Sequence, residues 1–373
     1  MDALMLPLNW QRVRLGDIGK PCMCKRVMKH QTTRYGEIPF YKIGTFGNTA
    51  DAFISKKLFL EYKTKYSFPK KGDILISASG TIGRAVIYDG KPAYFQDSNI
   101  VWIDNDETLV KNDFLFYAYS NVKWNTEHTT ILRLYNDNFR NTLIPLPPLN
   151  EQNAIANILS GLDRYLCALR ALILKKEGVK KALSFELLSQ RKRLKGFNQA
   201  WQRVRLGDIA NYLTSNLSVE QITQQGKIKV YDVNNFIGYT DTTFISDKPY
   251  ISIVKDGSVG RVRILPPKTN ILSTMGALIA NHKTTTEFLF YLLSNLDFKN
   301  FTSGSIIPHI YFKDYKEKTI FLPPLNEQSA IANILSDLDN EIISLKNKKR
   351  QFENIKKALN HDLMSAKIRV LEK

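Results

Sequence analysis

The sequence predicts an α+β fold with an internal pseudo-twofold repeat: two β-rich α/β domains joined by two long antiparallel coiled-coil helices. Three observations predict it. Two nearly identical segments recur in the same order. Between them lie short apolar and aromatic runs broken by Gly, Asp and Pro. After each recurring Pro-Pro pair the apolar spacing becomes helical.

The repeat comes first. Trp10–Ile18 reads WQRVRLGDI, and the same nine residues return at Trp201–Ile209. Leu146–Asp163 (LPPLNEQNAIANILSGLD) returns at Leu322–Asp339 (LPPLNEQSAIANILSDLD), matching at 16 of 18 positions. Gly80–Arg84 (GTIGR) corresponds to Gly257–Arg261 (GSVGR), and Phe114–Tyr117 to Phe288–Tyr291. The offset is 191 residues at the first motif, 177 at the glycine motif and 176 from Ile131/Ile307 onward. Copy one therefore carries roughly fifteen extra residues, nearly all between Ile18 and Gly80. The chain divides into a first domain (1–146), a spacer helix (147–196), a second domain (197–322) and a second spacer helix (323–373).

Within the domains, Ile74-Leu75-Ile76, Ala85–Tyr88 and Asn99–Ile103 read as strands and Glu287–Leu296 as a short helix. After each Pro-Pro, Asn150 stands where an N-cap belongs, with Glu151 in the first turn. Ile155, Ile158, Leu162, Tyr165, Leu169 and Leu172 recur at spacings of three and four. Ile331, Leu338, Leu345, Phe352 and Leu359 recur every seven residues. These are coiled-coil seams over ~45 residues, or ~65 Å at the helical rise. Neither helix buries its seam alone, so the two pack antiparallel against each other.

Composition narrows the function. Lys+Arg number 53 against 35 Asp+Glu, a net charge of +18 that suits a polyanionic partner. No run of ~18 apolar residues is present, and Met1–Trp10 lacks a signal peptide's pattern, so a cytoplasmic location is expected. Three cysteines (Cys22, Cys24, Cys167) make no disulfide framework. Cys22, Cys24 and His30 are too few for a structural zinc, and no metal is expected. The Pro-Pro pairs at 147–148, 266–267 and 323–324 each follow Leu, so the [DN]PP[YF] motif of an adenine methyltransferase is absent. No GxxxxGK[ST] phosphate loop occurs, and the five histidines (30, 128, 282, 309, 361) are scattered. No catalytic residue is assigned.

A domain opening with WxxVxLGDI, a GDILIS…GTIGR stretch (Gly72–Arg84) and PLPPLNEQ leading into a long helix, all repeated, resembles the specificity subunit of Type I restriction-modification systems. The resemblance covers essentially the whole chain. It implies that each variable domain is a target-recognition domain reading half of a bipartite, asymmetric site in double-stranded DNA. It implies helices that act as a ruler between half-sites and dock two modification subunits. Those partners would carry S-adenosylmethionine and methylate adenine, and restriction subunits using ATP and Mg would complete the endonuclease; this chain holds no cofactor. The rival reading is a stand-alone DNA-binding regulator with tandem domains.

Candidate contacts follow. Thr81 and Arg84, with Ser258 and Arg261, sit on the glycine turns, which read either as phosphate-approaching loops or as tight turns between strands. Thr129 and Arg133, with Ser303, Ser305 and His309, lie in polar stretches before the last strand. Copy one has Glu127-His128-Thr129-Thr130-Ile131-Leu132 where copy two has Ser303-Gly304-Ser305-Ile306-Ile307-Pro308, so their turn chemistry differs. Arg34 falls in Met28–Lys71, which with Asn211–Thr243 is the least similar region and the place where different half-sites are read. Retention of PPLNEQ marks Pro147, Pro148, Asn150, Glu151 and Gln152, with Pro323, Pro324, Asn326, Glu327 and Gln328, as a surface meeting the same partner twice. Arg164–Lys195 holds ten basic and two acidic residues, fitting partner docking and long-range steering.

Overall fold

A computed structural model describes residues 7–128 and 132–370. Thr129, with its neighbours 130 and 131, lies outside the described residues. Five helices of eight or more residues occur among them: α1 (Lys56–Lys65), α2 (Asn112–Tyr119), α3 (Leu149–Leu188), α4 (Thr286–Ser294) and α5 (Leu325–Met364).

The chain forms two compact units that cut across the sequence repeat. The first is Met1–Leu169 with Lys348–Lys373, and the second is Arg170–Asn347. The division falls within the long helices: each unit holds the start of its own copy's helix and the end of the other copy's.

In the first unit, Gly19–Met23, Ile100–Asn105, Ile74–Ser77 and Ala85–Ile87 form a four-stranded antiparallel sheet in that order. The continuous apolar run at Ile74 suits its central place, where every residue of Ile74–Ser77 is buried. A smaller sheet pairs Ile38–Tyr41 antiparallel to Phe53–Ile54 and parallel to Tyr94–Phe95. The WQRVRLGDI segment closes the domain: Gln11–Arg14 pairs with Leu143–Leu146, while Leu15 and Ile18 enter the core with Ile103 and Phe114.

The second unit repeats this plan. Its four-stranded sheet is Ala210–Thr214, Met275–Ala280, Tyr250–Val254 and Val262–Leu265, and its smaller sheet joins Phe236–Thr240, Ile228–Tyr231 and Thr269–Ile271. Gln202–Arg205 pairs with Thr319–Leu322. Matching registers locate copy one's extra residues. The offset falls from 190 at Tyr41/Tyr231 to 177 at Ile74/Ile251, most of it after Ile54/Thr240, where α1 sits. The Ser55 hydroxyl caps α1 by accepting from the Leu58 N–H at 3.2 Å, and Phe59 anchors the helix edge-on to Phe68.

The long helices are 40 residues each, about 60 Å at 1.5 Å per residue. Within each unit their segments run antiparallel: Tyr165 meets Phe352 at 4.7 Å between ring centroids, and Lys176 pairs with Glu341 at 2.8 Å. The seam register needs correction. Ile158 and Leu172 are exposed, and the buried stripe is Ile155, Leu159, Leu166, Leu169 and Ile173. The stripe turns because Ile155, Ala156 and Leu159 join the domain core, so the helix must face its own domain as well as its partner helix. In α5, Ile331 is buried while Leu338, Leu345, Phe352 and Leu359 are half-buried. Asn150 is not the N-cap either. The helix starts at Leu149, with the Pro148 carbonyl accepting the Glu151 and Gln152 N–H groups at 2.9 Å, so Asn150 lies inside the first turn.

The glycine turns take a demanding shape. Gly83 has φ +82°, and a Cβ there would lie 2.2 Å from the Trp124 Nε1; Gly260, at φ +79°, would meet Phe298 at 2.5 Å. Gly83→Ala must strain the backbone and displace the indole. A loss of about 2 kcal/mol or more is expected, read as a lower denaturant midpoint at unchanged slope.

Candidate nucleic-acid interface

The glycine turn of each unit lies against the hairpin before its last strand. In the first unit, Ser79 bridges to Arg133 and the Leu134 N–H donates to the Ala78 carbonyl at 2.9 Å. In the second, Asp256 bridges to His309, and the Gly257 N–H donates to the Pro308 carbonyl at 2.9 Å. The His309 Nδ1 and Asp256 Oδ1 are 2.6 Å apart. The turns that carry Thr81 in the first unit, and Ser258 and Arg261 in the second, are thus anchored through Ser79 and Asp256 to the hairpin strands of Arg133 and His309, and Ser303 pairs with His309 across its hairpin. Thr81, Ser258, Arg261, Ser303 and Ser305 are exposed, as is the hairpin tip residue Ile306.

Arg84 is partly engaged. Its Nη1 donates to the Phe46 carbonyl at 2.8 Å, tying the turn to the loop after Ile38–Tyr41. The Ser77 hydroxyl accepts from the Arg84 N–H at 2.9 Å and donates to the Thr81 carbonyl. The turn is a rigid strand connection whose exposed residues, rather than its glycines, are free to meet a ligand.

Arg34 stands on a separate loop, and a cleft of about 490 Å³ joins that loop to the Arg133 hairpin. Arg26, Lys29, Lys42 and Arg133 line it, together with Asp97 and Asn99. Arg26 is held by the mostly buried Asp97 at 2.8 Å, and Lys42 by the exposed Asp51 at 2.8 Å. Sequence reading missed Arg26, Lys29 and Lys42, although Lys25, Arg26, Lys29, His30 and Arg34 crowd one ten-residue stretch. Cys24 lies in the neighbouring core, where burial pushes its thiol up to about 12 and keeps it protonated. Among the described residues no group of three or more His, Cys, Asp or Glu could hold a metal ion.

The PPLNEQ residues turn inward, which corrects the surface role expected of most of them. Glu151, Gln152, Glu327 and Gln328 are all at most 2% exposed, Pro147 and Pro323 are buried, and Asn150 and Asn326 are exposed. Glu151 Oε2 accepts from the Trp10 Nε1 at 3.0 Å, and its carboxylate takes two bonds from Arg369 at 2.6 and 2.9 Å. Glu327 repeats this with Trp201 at 3.0 Å and Arg193 at 3.2 and 2.6 Å. Gln152 accepts from the Lys111 N–H at 2.8 Å and donates to the Leu109 and Pro147 carbonyls. Gln328 does the same with Thr285, Lys283 and Pro323. Farther along, Asp163 accepts from Tyr117 and pairs with Lys356, and Asp339 accepts from Tyr291 and pairs with Lys180. Burial first, and then the neighbouring carboxylate, holds both tyrosine hydroxyls protonated.

Retention of PPLNEQ therefore has an internal cause. In each unit the tryptophan of the opening motif and an arginine that follows the other copy's helix converge on the first-turn glutamate, and a lysine of that helix pairs with the aspartate farther along. Part of the basic run after Arg164 is committed within the second unit: Lys180 pairs with Asp339, Arg193 with Glu327 and Lys176 with Glu341.

Residues 7–176 and 198–354 match the family model for the Type I restriction modification DNA specificity domain. The MjaVIII specificity subunit, a type I restriction enzyme component of Methanocaldococcus jannaschii, is 26% identical over 99% of this chain and 95% of its own length. A Haemophilus influenzae protein described as a type I restriction enzyme specificity subunit is 64% identical, over 40% of this chain and 40% of its own length. The S subunit of a type I restriction-modification system from M. genitalium has a similar fold, with a TM-score of 0.64 at 20% identity, over 96% of this chain and 98% of that one.

Proposed function

This chain belongs to the Type I restriction modification DNA specificity family, and on that premise we propose how it divides the work of recognition. Each unit reads one half of a split, asymmetric site in double-stranded DNA, through the surface formed by its glycine turn, its hairpin and its basic loop. The observation that carries this reading is one backbone plan built twice beneath different exposed residues. An identical pair of domains would read a palindrome; these two differ where they are exposed.

The α3 and α5 helices set the spacing between half-sites. They also dock two modification subunits, through exposed first-turn positions such as Asn150 and Asn326, since the buried glutamates and glutamines are committed internally. Methyl transfer from S-adenosylmethionine to adenine, and ATP- and Mg-dependent cleavage by restriction subunits, belong to the partners. The complex works in the cytoplasm; no helix among the described residues is long and apolar enough to cross a membrane.

Co-expression with the cognate methyltransferase subunit and genome-wide mapping of methylated adenines tests the reading. Two short unlike motifs at a fixed gap are expected. Tight, specific binding by the chain alone with no co-purifying partner would favour the stand-alone regulator instead.

A further inference from the structure

The loops before the smaller sheets share one frame that the sequence comparison did not reveal. Gln31 Oε1 accepts from the Met28 N–H at 2.8 Å, and Gln221 Oε1 from the Ser218 N–H at 2.9 Å. The Thr33 hydroxyl donates to the Tyr35 carbonyl at 2.7 Å, and Thr223 to the Gln225 carbonyl at 2.7 Å. Thr33 also exchanges two backbone hydrogen bonds with Phe53, and Thr223 two with Tyr239. Gly36 and Gly226 then pass so close to these partners that a Cβ on either would sit 2.8 Å from a neighbour's Cβ. Threonine, two free positions and glycine thus form the same rigid tip in both units.

The two free positions differ. They are Arg34 and Tyr35 in the first unit, and Gln224 and Gln225 in the second. All four side chains are exposed, Tyr35 at 87%, and among the described residues none has a side-chain hydrogen bond or ion pair. The loop spends its polar bonds on holding its shape while an aromatic ring and a guanidinium stand in water. Behind the tip the surfaces diverge in step. Lys29 and Arg26 line the first unit's cleft, and at the same offset the second unit has Val219 and Asn216.

We propose that Arg34–Tyr35 and Gln224–Gln225 are the paired base-reading positions of the two units, each carried by this loop into a DNA groove. The inference rests on the function proposed above. An arginine fork matches the O6 and N7 acceptors of guanine, and a glutamine amide matches the N7 and N6 of adenine. The first unit therefore reads a guanine at this position and the second an adenine. A fixed backbone with two interchangeable side chains lets specificity change without refolding the domain.

The test uses the complex with its methyltransferase partner. One variant carries Arg34→Gln with Tyr35→Gln, and a reciprocal one carries Gln224→Arg with Gln225→Tyr. Methylated adenines are mapped, and binding is measured on DNA bearing the mapped site and on unrelated DNA. In the first variant, preference for the original base should fall on the order of tenfold or more at one position of one half-site, with the other half-site unchanged. The reciprocal variant should alter only the other half. Since these side chains bond to nothing in the fold, both variants should melt as the parent does. An unchanged motif overturns the proposal, and so does an equal loss of affinity for specific and unrelated DNA, which marks a backbone contact. The parent complex mapped in parallel separates this from failure of the underlying reading, which would show as no split motif at all.

Discussion

Replacing Glu327 by Ala is expected to destabilise the second unit by about 3 kcal/mol, among the largest effects available to a single substitution here. The carboxylate is fully buried and satisfies two groups, the Trp201 indole N–H and the Arg193 guanidinium. Its removal leaves a cation at 26% exposure without a counter-ion and a buried indole donor without an acceptor. Glu327→Gln should cost less, because the amide oxygen still accepts from Trp201 while the charge pairing is lost. Glu151→Ala should act alike on the first unit through Trp10 and Arg369. Thermal unfolding reads the result: in a unit of this size the midpoint should drop by roughly 10 °C. A change within a degree or two would mean that the retained glutamates serve a partner and not the fold.

The architecture was legible because duplication exposes it. WQRVRLGDI and PPLNEQ recur together since they touch: Trp10 meets Glu151, and Trp201 meets Glu327, across spans that no local pattern reports. The sequence shows that both segments are kept, but not that they are kept for each other. Glu151 read as a solvent-facing first-turn residue because its partners lie 141 and 218 positions away. The seam failed in register and not in kind. A spacing of three and four fits two adjacent stripes of α3; Leu159 is drawn into the domain core, and the buried stripe continues through Leu166 and Ile173 while Ile158 and Leu172 stay exposed.

The contact surface was half legible. Bridges from Ser79 to Arg133 and from Asp256 to His309 join the turns of Thr81 and Ser258 to the following hairpins, segments nominated from separate stretches. Arg84 was nominated for its charge, yet it holds the Phe46 carbonyl. The region that seemed least alike conceals a common loop, because hydrogen bonds accepted by Gln31 and Gln221, and donated by Thr33 and Thr223, preserve a backbone while flanking side chains drift. Sequence identity measures side chains, and here the frame needs only a few of them.

The second large effect concerns specificity. Residues 20–145 carry the first unit's two larger sheets, turn and hairpin, while the Trp10–Glu151 brace and both long helices lie outside that span. What crosses the boundary is the pairing of Gln11–Arg14 with the last strand and the bonds of Gln152 and Asp163 to Lys111, Leu109 and Tyr117. Exchange of 20–145 for the corresponding part of another family member should therefore leave the scaffold standing and replace what it reads. Since each mismatched base pair costs about 1–3 kcal/mol, a few changed positions suffice to move preference by three or more orders of magnitude. The most direct measurement is a genome-wide map of methylated adenines before and after this exchange, with the same methyltransferase partner. The account predicts that one half of the split motif is replaced, while the other half and the gap persist. A single contiguous motif in the parent, or an exchange that changes both halves or neither, would contradict it.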